Sequence, residues 1–276
     1  MTVVGRDRRA RRIPMPGRPD RELVLAWAAR TDTGRRRPAN EDSAVVGFPI
    51  FAVADGMGGH AAGDRASAIV VERLGRERGT AFLDLARLER AIVEAAHEID
   101  VLGDGMPSGV GTTLTGAALV VDDGEPVFAV FNIGDSRVYR FEGNELTRLT
   151  VDHSVVQELV DAGELTPLEA ERHPEANVIT RAIGFHDDPD PDVWAVPARA
   201  GLRLLLCSDG LTKEIGDDRI RLHLAAGMPP GETAAALVDA ALAAGGRDNV
   251  TVVVVDVVAV DDPRDTVHPR SGATAG

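Results

Sequence analysis

Acidic residues stand at the edges of apolar runs at five places in this chain. "IFAVADGMGGH" runs an apolar stretch into Asp55-Gly56, "LRLLLCSDGL" does the same at Asp209-Gly210, and "VFAVFNIGDSRVYRF" breaks at Gly134-Asp135. In "GGRDNVTVVVV" Asp248 precedes the run, and in "RRRPANEDSAVV" the adjacent acids Glu41 and Asp42 do so. Any one of these reads as a turn, because Asp-Gly is a turn-forming pair and Asp caps helices. Several carboxylates delivered to strand ends of one core are a different matter, since clustered acids repel unless a cation neutralises them. A hard divalent ion, Mg2+ or Mn2+, takes oxygen ligands and suits such a cluster. Gly56 lets its backbone carbonyl approach an ion that Asp55 also binds. Two ions sharing Asp55 could hold a bridging water and lower its pKa, which is chemistry for hydrolysing a phosphate ester. Arg37, four residues before Glu41, offers a fork for phosphate oxygens; taken alone, as one of three consecutive arginines, it reads as surface charge.

The elements that must carry these residues follow from periodicity. Strands are expected at 24–31, 43–46, 51–54, 113–121, 127–133, 137–142, 145–149, 202–207 and 250–258, with a hairpin turning at Glu142-Gly143-Asn144. Helices are expected at 63–78, 84–101, 153–162, 167–172, 217–226 and 233–244. That order is not a regular strand-helix alternation and points to the α+β class, a mixed sheet assembly with helices outside. The stretch from Thr150 to about Pro197 carries scattered charges and prolines and reads as an irregular insertion with short helices.

Composition narrows the function classes. A net charge of -14 disfavours nucleic acid as the main partner. Cys207 is the one cysteine, which leaves no disulfide framework or multi-cysteine zinc site and fits a reducing, cytoplasmic setting. No apolar stretch approaches the ~20 residues of a membrane span. Residues 1–21 are Arg-rich without the apolar middle of a secretory signal and are expected to be a disordered basic arm; residues 261–276 are expected to be a disordered tail. Two tempting motifs fail on chemistry. "DHS" at 152–154 places three adjacent residues that cannot converge as a triad, and "GMGGHAAG" lacks the Lys-Ser/Thr of a phosphate loop.

Seven segments in order, "TDTGRRRPANEDS", "FAVADGMGGHAAG", "GVGTTLTGAAL", "FNIGDSRVYR", "LTVDHSVVQELVDAGELT", "LLLCSDGLT" and "GGRDNVTVVVV", resemble the metal-dependent type 2C serine/threonine protein phosphatases, bacterial branch. The resemblance implies a four-layer α-β-β-α sandwich, two antiparallel sheets flanked by helices, over residues 22–260, with a flap at about 150–181 beside the cleft. It implies Asp55 as the carboxylate bridging two Mn2+ or Mg2+ ions, Gly56 as a backbone ligand, and Glu41 as a ligand of one ion. Asp209 and Asp248 become ligands of the other ion, Asp42 an acid behind them, and Arg37 the phosphate-binding arginine. His60 resembles the family's proton donor to the leaving alkoxide. The implied reaction is attack of a metal-bridging water on phosphoserine or phosphothreonine of proteins, targets of bacterial Ser/Thr kinases, without nucleic acid or membrane partners. A catalytically silent phosphoprotein-binding module of the same fold and the sporulation branch of the family are the rival readings. Related bacterial chains pair Asp135 with a further acid four residues after Asp209 to hold a third ion. Here that position is Lys213, so the third ion is expected to be weak or absent.

Overall fold

A computed structural model describes residues 1–58, 62–79, 82–106 and 109–261. The chain begins with three strands, β1 (Val3–Gly5), β2 (Arg8–Met15) and β3 (Arg18–Asp32), followed by the β4 (Asp42–Gly47) and β5 (Ile50–Gly58) hairpin. Helices α1 (Ala62–Gly75) and α2 (Leu85–Gly103) lead to β6 (Val110–Thr112), β7 (Leu114–Asp122), β8 (Glu125–Ile133), β9 (Arg137–Glu142) and β10 (Glu145–Arg148). Short helices α3 (Val155–Asp161) and α4 (Pro167–Ala170) precede β11 (Ile183–Gly184), β12 (Asp192–Pro197) and β13 (Arg203–Cys207). Helices α5 (Asp209–Thr212), α6 (Asp217–Ala225) and α7 (Pro230–Ala244) then return the chain to β14 (Val250–Asp261).

The strands form two sheets. One runs β1-β4-β5-β7-β8-β12, with β6 joining β5 to β11; the other runs β10-β9-β13-β14-β3-β2. Pairing is antiparallel except where β1 lies parallel to β4. The run at 203–207 shows why so apolar a strand is needed. Leu204 and Leu206 face the other sheet, while Leu205 and Cys207 face the helices, so alternate residues fill two different cores. Between the sheets lie Leu25, Trp27, Phe51, Val53, Phe128 and Val253, with the Trp27 and Phe51 rings edge to face at 5.3 Å. Ala66, Val70, Ile92 and Ile99 of α1 and α2 cover the outer face of the first sheet, and Leu211, Ile220 and Leu237 of α5, α6 and α7 cover that of the second. The architecture is therefore α+β in four layers.

Residues 1–21 depart from the expected disordered arm: they form β1, β2 and the start of β3. The arginine content hides an alternation in which Ile13 and Met15 bury on the core while Arg8, Arg9 and Arg12 stay in solvent. Arg11 lies 4.8 Å from the centre of the Phe48 ring. The irregular insertion is also shorter than expected, because the whole of β12 closes its C-terminal side by pairing with Val127 to Asn132 of β8. Within it, α3 and α4 are capped by Ser154 and Thr166, the latter in a capping box with Glu169. The tail expected from 261 lies outside the described residues beyond the end of β14.

Arg203 and Asp256 face each other across β13 and β14. Arg203 Nε and Nη2 donate to the two Asp256 oxygens at 2.6 and 2.7 Å, and its remaining donors reach the carbonyls of Leu224 and Met228 and the Thr233 hydroxyl. This pair fastens the helical layer to the two strands that carry Asp209 and Asp248.

Candidate metal centre

The sheet edge where β4, β5, β13 and β14 meet gathers the acids. Asp42 opens β4 and stands opposite Asp55 in the register with β5. Two like charges across a strand pair oppose folding on their own. Asp42 is fully buried, and its Oδ2 accepts from Ser208 Oγ at 2.8 Å and Thr251 Oγ1 at 2.6 Å, both from the other sheet. Its Oδ1 is buried without a partner. Burial pushes the Asp42 carboxyl up to about 7, against the pull of the two hydroxyls and with repulsion from Asp209 and Asp248.

Asp55 sits at the rim of the cluster, and enclosure followed by repulsion from Asp42, Asp209, Asp135 and Asp248 raises its carboxyl well above the ordinary range. Thr112 and Thr113 set its backbone: Thr112 Oγ1 donates to the Asp55 carbonyl at 2.9 Å, and the Asp55 N–H donates to Thr113 Oγ1 at 3.0 Å. The next residue must be glycine. A Cβ on Gly56 would lie 2.1 Å from the Gly63 carbonyl oxygen and 2.8 Å from that of Glu41. The Gly56 N–H donates to the Glu41 carbonyl at 3.2 Å, and Glu41 is itself raised, first by burial.

The second sheet supplies Asp209 and Asp248, and the connection from β8 of the first sheet to β9 of the second supplies Asp135. Asp209 begins α5, directly after β13; its Oδ1 is buried without a partner and its Oδ2 accepts from Lys213 Nζ. Asp135, just past β8, is pushed up to about 7 by burial and then by Asp209, with Lys213 acting in the opposite sense. Burial would lower the Lys213 pKa, but Asp209 and Asp135 outweigh it and hold the ammonium charged. Asp248 precedes β14, and its Oδ2 accepts from Arg37 Nη2 at 2.7 Å. Arg37 is about half exposed, which leaves its other donors facing solvent.

The sequence places Arg37, Glu41, Asp42, Asp55, Gly56, Asp135, Asp209 and Asp248, and all come to this one edge. His60 lies outside the described residues. Asn249 also joins the site: its Oδ1 accepts the Glu41 N–H at 2.8 Å, and its amide donates to the carbonyls of Thr33 and Ala39. It thereby ties the Arg37 loop to Asp248. Ser208, Thr112 and Thr113 also act here, although small hydroxyl residues carry no signal of their own in a sequence.

The donor set fits hard divalent ions, since every unoccupied acceptor is a carboxylate or backbone oxygen and two of those carboxylate oxygens are buried and orphaned. Among the described residues no three His, Cys, Asp or Glu side chains already form an ion cage, because Lys213 draws Asp209 and Arg37 draws Asp248.

The profile of the protein phosphatase 2C family matches residues 39–244. The chain belongs to that family. Its sequence is 43% identical over 250 residues to the serine/threonine protein phosphatase PstP of Mycobacterium tuberculosis, covering 87% of this chain and 46% of that protein. The chain thus spans about half the length of that curated relative. It is 39% identical over 240 residues to the protein phosphatase PhpP of Streptococcus pneumoniae, covering 82% of this chain and 95% of that one. The fold matches the crystal structure of the PstP catalytic domain in complex with two manganese ions, with a TM-score of 0.77, 42% identity, and coverage of 86% of this chain and 99% of that one. It also matches the Mycobacterium smegmatis phosphatase MsPP in complex with cacodylate, at a TM-score of 0.76 and 38% identity over 84% of this chain and 98% of that one. No helix among the described residues is long and apolar enough to cross a membrane.

Proposed function

We propose that this protein phosphatase 2C chain is a metal-dependent protein-serine/threonine phosphatase that removes phosphate from phosphoserine and phosphothreonine of proteins phosphorylated by Ser/Thr kinases in the cytoplasm. The observation that carries the reading is the convergence of Glu41, Asp42 and Asp55 from one sheet with Asp209 and Asp248 from the other, leaving the Asp42 Oδ1 and Asp209 Oδ1 atoms buried and orphaned. Asp55, Glu41 and the Gly56 carbonyl, with Asp209 and Asp248 from the other sheet, would hold two Mn2+ or Mg2+ ions. When bound, such ions lower the pKa of water and offset phosphate charge. Asp42 stays behind the ligands, where its bonds to Ser208 and Thr251 hold the two sheets in register. Arg37 leans on Asp248 and presents its remaining guanidinium donors to phosphate oxygens. His60 is assigned to proton delivery to the leaving alkoxide. The segment carrying α3 and α4 is assigned to substrate choice. A third ion is left out because the Lys213 ammonium lies between Asp209 and Asp135.

The test is hydrolysis of an aryl phosphate and of a phosphothreonine peptide. Turnover should require Mn2+ or Mg2+, vanish in a chelator, and fall at least about 100-fold in Asp209→Asn. Turnover that persists in the chelator overturns the metal reading. Tight phosphopeptide binding without turnover in the presence of Mn2+ favours the silent binding module instead.

A further inference from the structure

One ammonium serves two buried carboxylates in this cluster. Lys213 follows Asp209 by four residues across the single turn of α5, a spacing that brings its side chain back over the carboxylate. Its Nζ donates to Asp209 Oδ2 and stands 4.0 Å from Asp135 Oδ2, with side-chain exposures of 12% for Asp209 and 13% for Asp135. Among the described residues Asp135 has no nearer cation to call on. Arg137 is committed to Asp152 by three bonds of 2.6 to 3.1 Å, and Asp152 adds its own repulsion to Asp135. Glu214, next along the chain, does not join the cluster: its Oε1 accepts from the Arg247 N–H at 2.7 Å and Nε at 2.9 Å. Among the described residues, Asp135 and Asp209 therefore share one resident positive charge, attached by a flexible stem.

That stem has somewhere to go. A charge-assisted bond closes at about 2.8 Å, so a shift of roughly 1 Å takes the ammonium from Asp209 to Asp135. Asp209 meanwhile keeps an oxygen, Oδ1, that no protein group satisfies. We propose that Lys213 is a tethered cation shared by Asp209 and Asp135, which compensates Asp209 in the ion-free chain and turns onto Asp135 when a divalent ion takes Asp209, so that no further ion enters between them. This rests on the reading of Asp209 as a metal ligand. It adds that the chain carries its own replacement for an ion, and that ion-free folding depends on it.

Two readouts test this, Mn2+ bound per chain by equilibrium dialysis and thermal melting in EDTA. The wild-type and Lys213→Arg chains should bind two Mn2+, and Lys213→Asp three. Lys213→Met should bind its ions about tenfold more tightly, because no ammonium competes for Asp209. In EDTA, Lys213→Met and Lys213→Asp should melt below the wild type, with Lys213→Arg close to it, and saturating Mn2+ should close the gap. Three Mn2+ in the wild type overturn the proposal, as do two in Lys213→Asp with wild-type affinity. A wild type that binds no Mn2+ overturns the phosphatase reading. The EDTA melts then judge the lysine separately, and equal melting of Lys213→Met and wild type refutes its compensating role.

Discussion

Replacing Arg203 by Met is expected to cost this fold about 3 kcal/mol while leaving the metal centre intact. The arginine side chain is 11% exposed, and the substitution strands Asp256, the carbonyls of Leu224 and Met228, and the Thr233 hydroxyl. Removing one partner of a buried ion pair costs about 3–5 kcal/mol. Asp256 retains 20% exposure, so water recovers part of its solvation and the lower end applies. For a chain of this size about 3 kcal/mol lowers Tm by roughly 10 °C. Adding Asp256→Val should recover most of the loss, to within about 1 kcal/mol of wild type, because the desolvated carboxylate disappears with its partner. Urea unfolding of the wild type, both singles and the double measures the cycle. The pair sits four residues along β13 from Cys207, roughly 13 Å, and the acid cluster begins beyond it at Asp209, so Mn2+ affinity at 10 °C should not change. A single-variant loss under about 1 kcal/mol, or a double variant no better than Arg203→Met, would refute the argument that stranded polar groups set the cost.

Gly56→Ala should fold with lowered stability and bind Mn2+ at least about tenfold more weakly, because its Cβ must push apart the Gly63 and Glu41 carbonyls; unchanged Mn2+ titration would count against the cradle. Burial pushes the Cys207 thiol up to about 12, so it should resist a thiol reagent at pH 8 in the native chain and react fully in urea, followed by absorbance. Asp42 has a folded pKa raised to about 7 over its ordinary 3.8, so the fold favours its protonated form. The stability it contributes is complete below pH 3.8 and is lost as pH rises to about 7. Urea melts in EDTA should therefore show a decline between about pH 4 and 7 that is shallower in Asp42→Asn.

The pattern of apolar runs bounded by acids made the second sheet and the acidic edge legible, because one such acid reads as a turn or cap whereas five on one core repel unless a cation is used. Residues 202–207 and 250–258 are of this kind, and so is the placing of Asp209 and Asp248. Strands whose apolar residues are few and interrupted were not legible. In β2 only Ile13 and Met15 bury, amid arginines, and in β12 Val196 is the one fully buried side chain, between prolines. Within the site, the ties made by Asn249, Ser208 and Thr113 depend on long-range approach, as does the close packing of Gly210 against the Asn249 carbonyl, 1.9 Å from where a Cβ would be. Local patterning carries none of that information. The choice of Lys213 between solvent and the acids is likewise a matter of tertiary geometry, and the ammonium donates to Asp209 with Asp135 4.0 Å away.

The acids of the centre are divided between the two sheets, with Asp42 and Asp55 on one and Asp209 and Asp248 on the other. An ion held by both groups is a rivet across the open edge of the sandwich, closing only once the sheets have docked. A contact absent from the folding transition state lengthens the lifetime of the native state without hastening its formation. Resistance to proteolysis, more than the speed of refolding, is then where the supply of divalent ion is felt.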